Sequence, residues 1–338
     1  MGSNGKSASN NNKPSFPSAS IISKQETAVS ETKKTAYVFP GQGAQTVGMG
    51  KDLYDGFDSV KALFQQADEA VGFTLSKLCF EGPEEELKKT SNAQPALVAV
   101  GIACLRAAQE VAGKNIPLPS FMAGHSLGEY TALAATGAID FPTAVYLAKE
   151  RGRLMYEAGL QEPGTMMAVI GIEEAALAEV CRQSGTVIAN FNCPGQLVVS
   201  GAGENVARAA ELAKTRGAAR TIPLQVSGAF HSPLMQPAVD GMAQALASVM
   251  FKDPSVPVIA NVTAQPLTGG SQIKDELLKQ LYNGVQWQRS VEYMLQQNTG
   301  RFIEFGPGKV LTGLIRRISR DVETVNIGDI NAVKALQG

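Results

Sequence analysis

Histidine is almost missing from this chain: its 338 residues include two, His125 and His231. Chemistry that needs an imidazole must therefore use one of them. Four cysteines, Cys79, Cys104, Cys181 and Cys193, lie far apart, and no pair has CxxC spacing. Zinc binding and thioredoxin-like redox chemistry are unsupported, and the thiols read as reduced and buried. No unbroken apolar run nears the roughly 18 residues that cross a bilayer, so no membrane association is expected. The net charge of −1 gives no general attraction to nucleic acid. The first 34 residues contain no arginine and no acid before Glu26. They are rich in Ser, Asn and Lys, poor in large apolar residues, and expected to be disordered. The stretch lacks the apolar core of a secretory signal. Gly2 with Lys6 misses the myristoylation pattern. A cytoplasmic protein is expected, with an organelle transit peptide as the alternative, although the missing arginine weakens it.

What is present suits a soluble globular chain of one large domain or two smaller ones. The chain is 44% hydrophobic and 18% charged, enough to bury a large core. A short apolar strand over 36–39 runs into Pro40-Gly41-Gln42-Gly43, a turn-forming run. Helical spacing follows over 59–71 and 94–112, then a strand over 121–123 and a helix over 129–135. Alternating strands and helices predict an α/β fold with a mainly parallel sheet. Residues 165–224 read as strand, helix, strand, strand, helix, strand, the ferredoxin-like βαββαβ order. The expected organisation is a discontinuous large domain over 35–160 and 228–330, with a small domain over 161–227 inserted in it. Further strands are expected near 258–261 and 302–305.

Gly124-His125-Ser126-Leu127-Gly128 fits the G-x-S-x-G pattern. It sits between a short apolar strand and a good helix, where a sharp turn exposes the serine hydroxyl. The glycines leave room for neighbouring backbone, and the helix N-terminus can stabilise an oxyanion. Serine needs a base, because its free hydroxyl is a poor nucleophile. His125 is adjacent on the same tight turn and reads as a structural residue behind it. His231 lies 231 − 126 = 105 residues later, in a loop before Ser232-Pro233, and is the better candidate. A base needs an orienting partner on its second nitrogen. No acid stands out for that task, which leaves a backbone carbonyl or a side-chain amide.

The serine motif extended to Glu129, with Phe39-Pro40-Gly41-Gln42-Gly43, Arg151-Gly152, Asn192-Cys193-Pro194-Gly195-Gln196, Gly228-Ala229-Phe230-His231, Val285-Gln286-Trp287 and Glu304-Phe305-Gly306-Pro307-Gly308, forms a set of motifs spread along the chain. In this the chain resembles the malonyl-CoA:acyl carrier protein transacylases of type II fatty acid synthesis and the acyltransferase domains of polyketide synthases. The resemblance covers about Tyr37 to Arg317. It implies an α/β-hydrolase-like core with a ferredoxin-like insertion. It implies Ser126 as nucleophile, His231 as base, and Gln286 as the residue orienting that histidine. Backbone N–H groups of Gln42 and Leu127 would form the oxyanion hole. Arg151 would clamp a substrate carboxylate, its planar fork suiting malonyl over acetyl. Phe230 would narrow the pocket against an extra methyl, and Asn192 would approach the cleft from the small domain.

The implied reaction is ping-pong transfer of malonyl from coenzyme A to the phosphopantetheine thiol of acyl carrier protein, by a monomer needing no metal or bound cofactor. Carrier proteins of this kind are acidic, and Lys309, Arg316, Arg317 and Arg320 are candidates for a basic rim. A serine hydrolase or thioesterase acting on acyl-CoA and a non-catalytic carrier-binding scaffold are the alternatives. Joint retention of Ser126, His231 and Arg151 argues against the scaffold.

Overall fold

Residues along the first strand alternate between two apolar environments, and this fixes the sheet they build. The computed structural model describes Met1, Gly2, Gly5 and residues 33–337. Strand β1 (Lys34–Phe39) sends Tyr37 and Phe39 into one core and Ala36 and Val38 into another. Both faces are thus covered, as a parallel sheet between helices requires. β1 pairs in parallel with β2 (Pro119–Gly124) on one side and β9 (Thr299–Phe305) on the other. β10 (Glu323–Ile327) lies beyond β9, and β7 (Val258–Ile259) beyond β2, both parallel. β8 (Pro266–Leu267) ends the sheet, antiparallel to β7. The order is β10-β9-β1-β2-β7-β8, the mainly parallel sheet that was expected.

Four more strands form a second, antiparallel sheet: β3 (Thr165–Ile170), β4 (Val187–Cys193), β5 (Gln196–Gly201) and β6 (Arg220–Pro223). Their order is β4-β5-β3-β6, with a helix over Glu174–Ser184 between β3 and β4 and another over Gly203–Thr215 between β5 and β6. That is the ferredoxin-like arrangement. One face of this sheet packs Met167, Val169, Leu197 and Val199 on those two helices. The other face gives Met166, Ala168 and Val198 to the main core. Two backbone hydrogen bonds, Phe191 N–H to Val285 O and Val285 N–H to Ala189 O, both 2.9 Å, join β4 to the segment before the helix Trp287–Gln296. The chain from Lys33 onward is one compact unit. The expected disordered stretch over 1–34 lies almost wholly outside the described residues.

The helix Thr90–Ala112 is long and apolar enough to cross a membrane, with a mean hydropathy of 1.4 in its most apolar window. Yet 78% of that window is buried inside the protein, against the helix Phe141–Gln161 among others. Gln94 and Arg106 break the run in the sequence, so a search for unbroken apolar stretches misses it.

Candidate active site

The site sits where β1 and β2 end, at the carboxyl edge of the parallel strands, where open α/β sheets place ligands. β2 stops at Gly124, and the helix Gly128–Ala135 starts four residues on. The chain turns so sharply that a Cβ on Gly124 would stand 1.8 Å from the Gly128 carbonyl carbon. A Cβ on Gly128 would stand 2.1 Å from Phe39 O, and one on Gly41 2.4 Å from His125 O. Backbone occupies each of these spaces, so glycine is the residue that fits. Between the glycines Ser126 is held at φ 50°, in the left-handed region. His231 is held at φ 57°. Each such non-glycine residue costs about 1–3 kcal/mol, and the surrounding hydrogen bonds hold it there.

The two residues meet across 105 positions of sequence: Ser126 Oγ lies 2.7 Å from His231 Nε2. His231 Nδ1 faces the backbone carbonyl of Gln280 at 2.8 Å. A carbonyl only accepts, so Nδ1 carries the proton and Nε2 is free to accept from the serine. Burial, then the nearby Arg151 cation, push the His231 pKa down to about 3. The imidazole is therefore neutral in the resting site, ready to take a proton.

Gln280 replaces Gln286 in the orienting role. The Gln286 side chain instead donates to Gly284 O at 3.5 Å and accepts from Arg289. Of the two possibilities left open by the sequence, the backbone carbonyl is the one found. The reason lies in the fold: Gln280 ends the helix Gly270–Gln280, where the last carbonyls lack helical partners.

Arg151 is 1% exposed, yet among the described residues no carboxylate is bonded to it. Its Nη1 donates to Gln94 Oε1 at 2.8 Å, and its Nη2 to Gln280 Oε1 at 2.8 Å and Ser126 Oγ at 3.1 Å. Among the described residues its Nε has no partner. Burial lowers its pKa from the usual arginine value. A buried guanidinium held by two neutral amides and aimed at the serine is a prepared seat for an anion.

The Gln42 and Leu127 N–H groups make no backbone hydrogen bond within the described residues, which leaves both donors for an oxyanion. Ser126 N–H is already used: it donates to Asn261 Oδ1 at 2.7 Å, and Asn261 Nδ2 donates to Gly124 O at 2.7 Å. Asn261 thus staples the turn from the end of β7.

A cleft of about 510 Å3 opens over these groups, lined by Gln42, Ser126, Arg151, Phe230 and His231 with Met155, Met166 and Asn190. Asn192 is not among its walls: its Oδ1 accepts from His125 Nε2 at 2.8 Å, two residues beyond Asn190 on the same strand. β4 is irregular between Ile188 and Asn190 and again between Phe191 and Cys193, so regular alternation does not relate the two asparagines, and Asn190 is the one that lines the cleft. His125 also lines the cleft, while its ring packs on Trp287 at 5.7 Å. Sequence reasoning passed over Gln94, Asn261 and Gln280. A polar residue inside an apolar helix face was the one clue for Gln94.

Residues 36–330 match the acyl transferase domain family. The chain is 45% identical over 306 residues to the malonyl CoA-acyl carrier protein transacylase of Bacillus subtilis (strain 168), covering 89% of this chain and 95% of that one. It is 46% identical over 305 residues to the enzyme of the same name from Escherichia coli (strain K12), covering 89% and 97%. A crystal structure of an acyl carrier protein S-malonyltransferase from Vibrio cholerae superposes with a TM-score of 0.86 at 43% identity, over 90% of this chain and 100% of that one. A malonyl-transacylase solved in complex with a type II polyketide synthase acyl carrier protein gives 0.85 at 41% identity, over 90% and 99%. The chain belongs to the acyl transferase domain family, among the malonyl CoA-acyl carrier protein transacylases.

Proposed function

We infer that this chain moves malonyl from malonyl-CoA to the phosphopantetheine thiol of acyl carrier protein, through a malonyl ester on Ser126. The observation that carries the reading is one oxygen with two partners: Ser126 Oγ lies 2.7 Å from a neutral His231 and 3.1 Å from the buried Arg151. The first arrangement makes a nucleophile, and the second selects an acyl group with a negative far end.

In the first half-reaction Arg151 binds the malonyl carboxylate, and the thioester carbonyl lies against Ser126. His231 Nε2 takes the hydroxyl proton as Oγ attacks, and the oxyanion rests on the Gln42 and Leu127 N–H groups. The C–S bond then breaks, and the departing sulfur of coenzyme A takes the proton from His231, which is left neutral. In the second half the carrier thiol gives its proton to His231 and attacks the ester carbonyl. The C–O bond to Ser126 breaks, and the serine recovers the proton. No redox step or metal enters this route. The carboxylate also offsets the Arg151 charge that depresses His231, so the correct substrate strengthens the base that attacks it.

A basic rim would suit an acidic carrier protein. Of the four candidates, Arg316 is bonded to Thr324 and Arg317 to Gln196, both at 2.7 Å. Lys309 and Arg320 are the better candidates for contact with a carrier.

Intact-mass measurement after mixing with malonyl-CoA tests the reading. The wild type gains one malonyl group, and Ser126→Ala gains none. A protein that never acquires the adduct would be a binding scaffold. Coenzyme A release that ignores added carrier protein would indicate hydrolysis instead.

A further inference from the structure

We propose that Glu129 is a positioning residue for the carboxylate seat, acting on Arg151 through the side chain of Gln280. This rests on the transferase reading above. Glu129 is fully buried in the first turn of the helix that follows the nucleophile. Its Oε1 accepts from Asn261 N–H at 3.1 Å, and its Oε2 accepts from Gln280 Nε2. The same Gln280 amide donates from Nε2 to Ser126 O at 3.0 Å and accepts at Oε1 from Arg151 Nη2 at 2.8 Å. Carboxyl, amide and guanidinium thus form one chain of hydrogen bonds.

The chain solves an electrostatic problem. A buried cation needs a counter-charge. A carboxylate set directly on the guanidinium would occupy the fork that an incoming carboxylate must use. One intervening amide keeps the negative charge in the same low-dielectric region and leaves the fork open. Among the described residues, Arg151 donates only to the neutral oxygens of Gln94, Gln280 and Ser126.

The group at 129 must also accept twice. Both Glu129 oxygens face N–H donors, so the ionised carboxylate matches its surroundings. Burial, then Glu276, push its pKa well above the ordinary carboxylate value, and the Asn261 and Gln280 donors and the Arg151 charge offset part of that rise. A glutamine at this place would turn its own NH2 group toward one of the two donors in either orientation. The Gln280 amide would lose its anchor, and Arg151 an aligned acceptor.

Glu129→Gln is compared with wild type for acylation by malonyl-CoA and by acetyl-CoA. The ratio of the two kcat/KM values should move toward acetyl by about tenfold or more, chiefly through a higher malonyl KM. Gln280→Ala should move it the same way, and adding Glu129→Gln to Gln280→Ala should move it no further. If Glu129→Gln does not fold, Glu129→Asp keeps the charge but withdraws it from Gln280, and a smaller shift of the same sign is expected. Equal loss for both substrates, an unchanged ratio, or additive shifts in the double variant overturns the proposal. A wild type that takes up no malonyl would sink the transferase reading, whereas a working wild type with an unmoved ratio sinks this inference alone.

Discussion

Arg151 Nη2 and His231 Nε2 converge on the same atom, Ser126 Oγ, at 3.1 Å and 2.7 Å. The proposed base and anion seat therefore lie within one short acyl group of each other. An acyl chain joined to Ser126 displaces the guanidinium from Oγ and presents it with whatever its far end carries. For malonyl that end is a carboxylate; for acetyl it is a methyl group, which leaves a buried charge without a partner.

Arg151→Ala follows from this. Losing two charge-assisted hydrogen bonds removes about 3 kcal/mol or more, so malonyl transfer should fall by about 100-fold or more. Acetyl-CoA loses no such contact and escapes the penalty of facing an unpaired cation, so its use should fall far less or rise. Measuring kcat/KM for both substrates checks it. A parallel fall would mean that Arg151 supports the structure rather than the substrate.

The depressed pKa of His231 has a stability consequence with a definite sign. Its folded value of about 3 lies below the ordinary 6.5. Between these values the unfolded chain holds a proton that the folded chain does not, so stability rises with pH. The contribution is complete above 6.5 and is lost as pH falls toward 3. The raised pKa values of buried Glu129, Glu276 and Glu304 slope the opposite way, so the His231 part is read as the difference between wild type and His231→Gln in urea unfolding from about pH 4.5 to about 7, the variant rising less steeply with pH. An unchanged slope in the variant would show that His231 titrates normally in the folded protein.

Much of this was legible in the sequence because it depends on local spacing. The turn glycines, the apolar strands and the order of elements over 165–224 impose themselves through short-range geometry. Two histidines in the whole chain made His231 easy to reach. The orienting group was not legible, since a backbone carbonyl has no sequence identity and Gln280 looks like any helix end. Asn192 and Asn190 lie two residues apart on a strand whose register breaks on either side of Asn190, so a simple alternation rule could not say which one lines the cleft. Gln94, Asn261 and Glu129 act through partners 57, 135 and 151 positions away, at separations that no local pattern records.

Phe230 offers a last test, at the apolar wall of the cleft. It precedes the base, is 6% exposed, and lines the cavity together with Met155 and Met166. The role proposed for its ring is to narrow the cleft beside the malonyl methylene carbon, between Ser126 and Arg151. An added methyl there meets packed apolar atoms, a penalty of about 1–3 kcal/mol. The wild type should therefore favour malonyl-CoA over methylmalonyl-CoA by a finite margin of about 10–200-fold. Phe230→Ala should narrow that margin by admitting the methyl, while also costing stability through the cavity it leaves. Competition between the two thioesters, read as the mass of the acyl-enzyme, checks both statements. A margin that stays unchanged in Phe230→Ala would place the methyl against another wall.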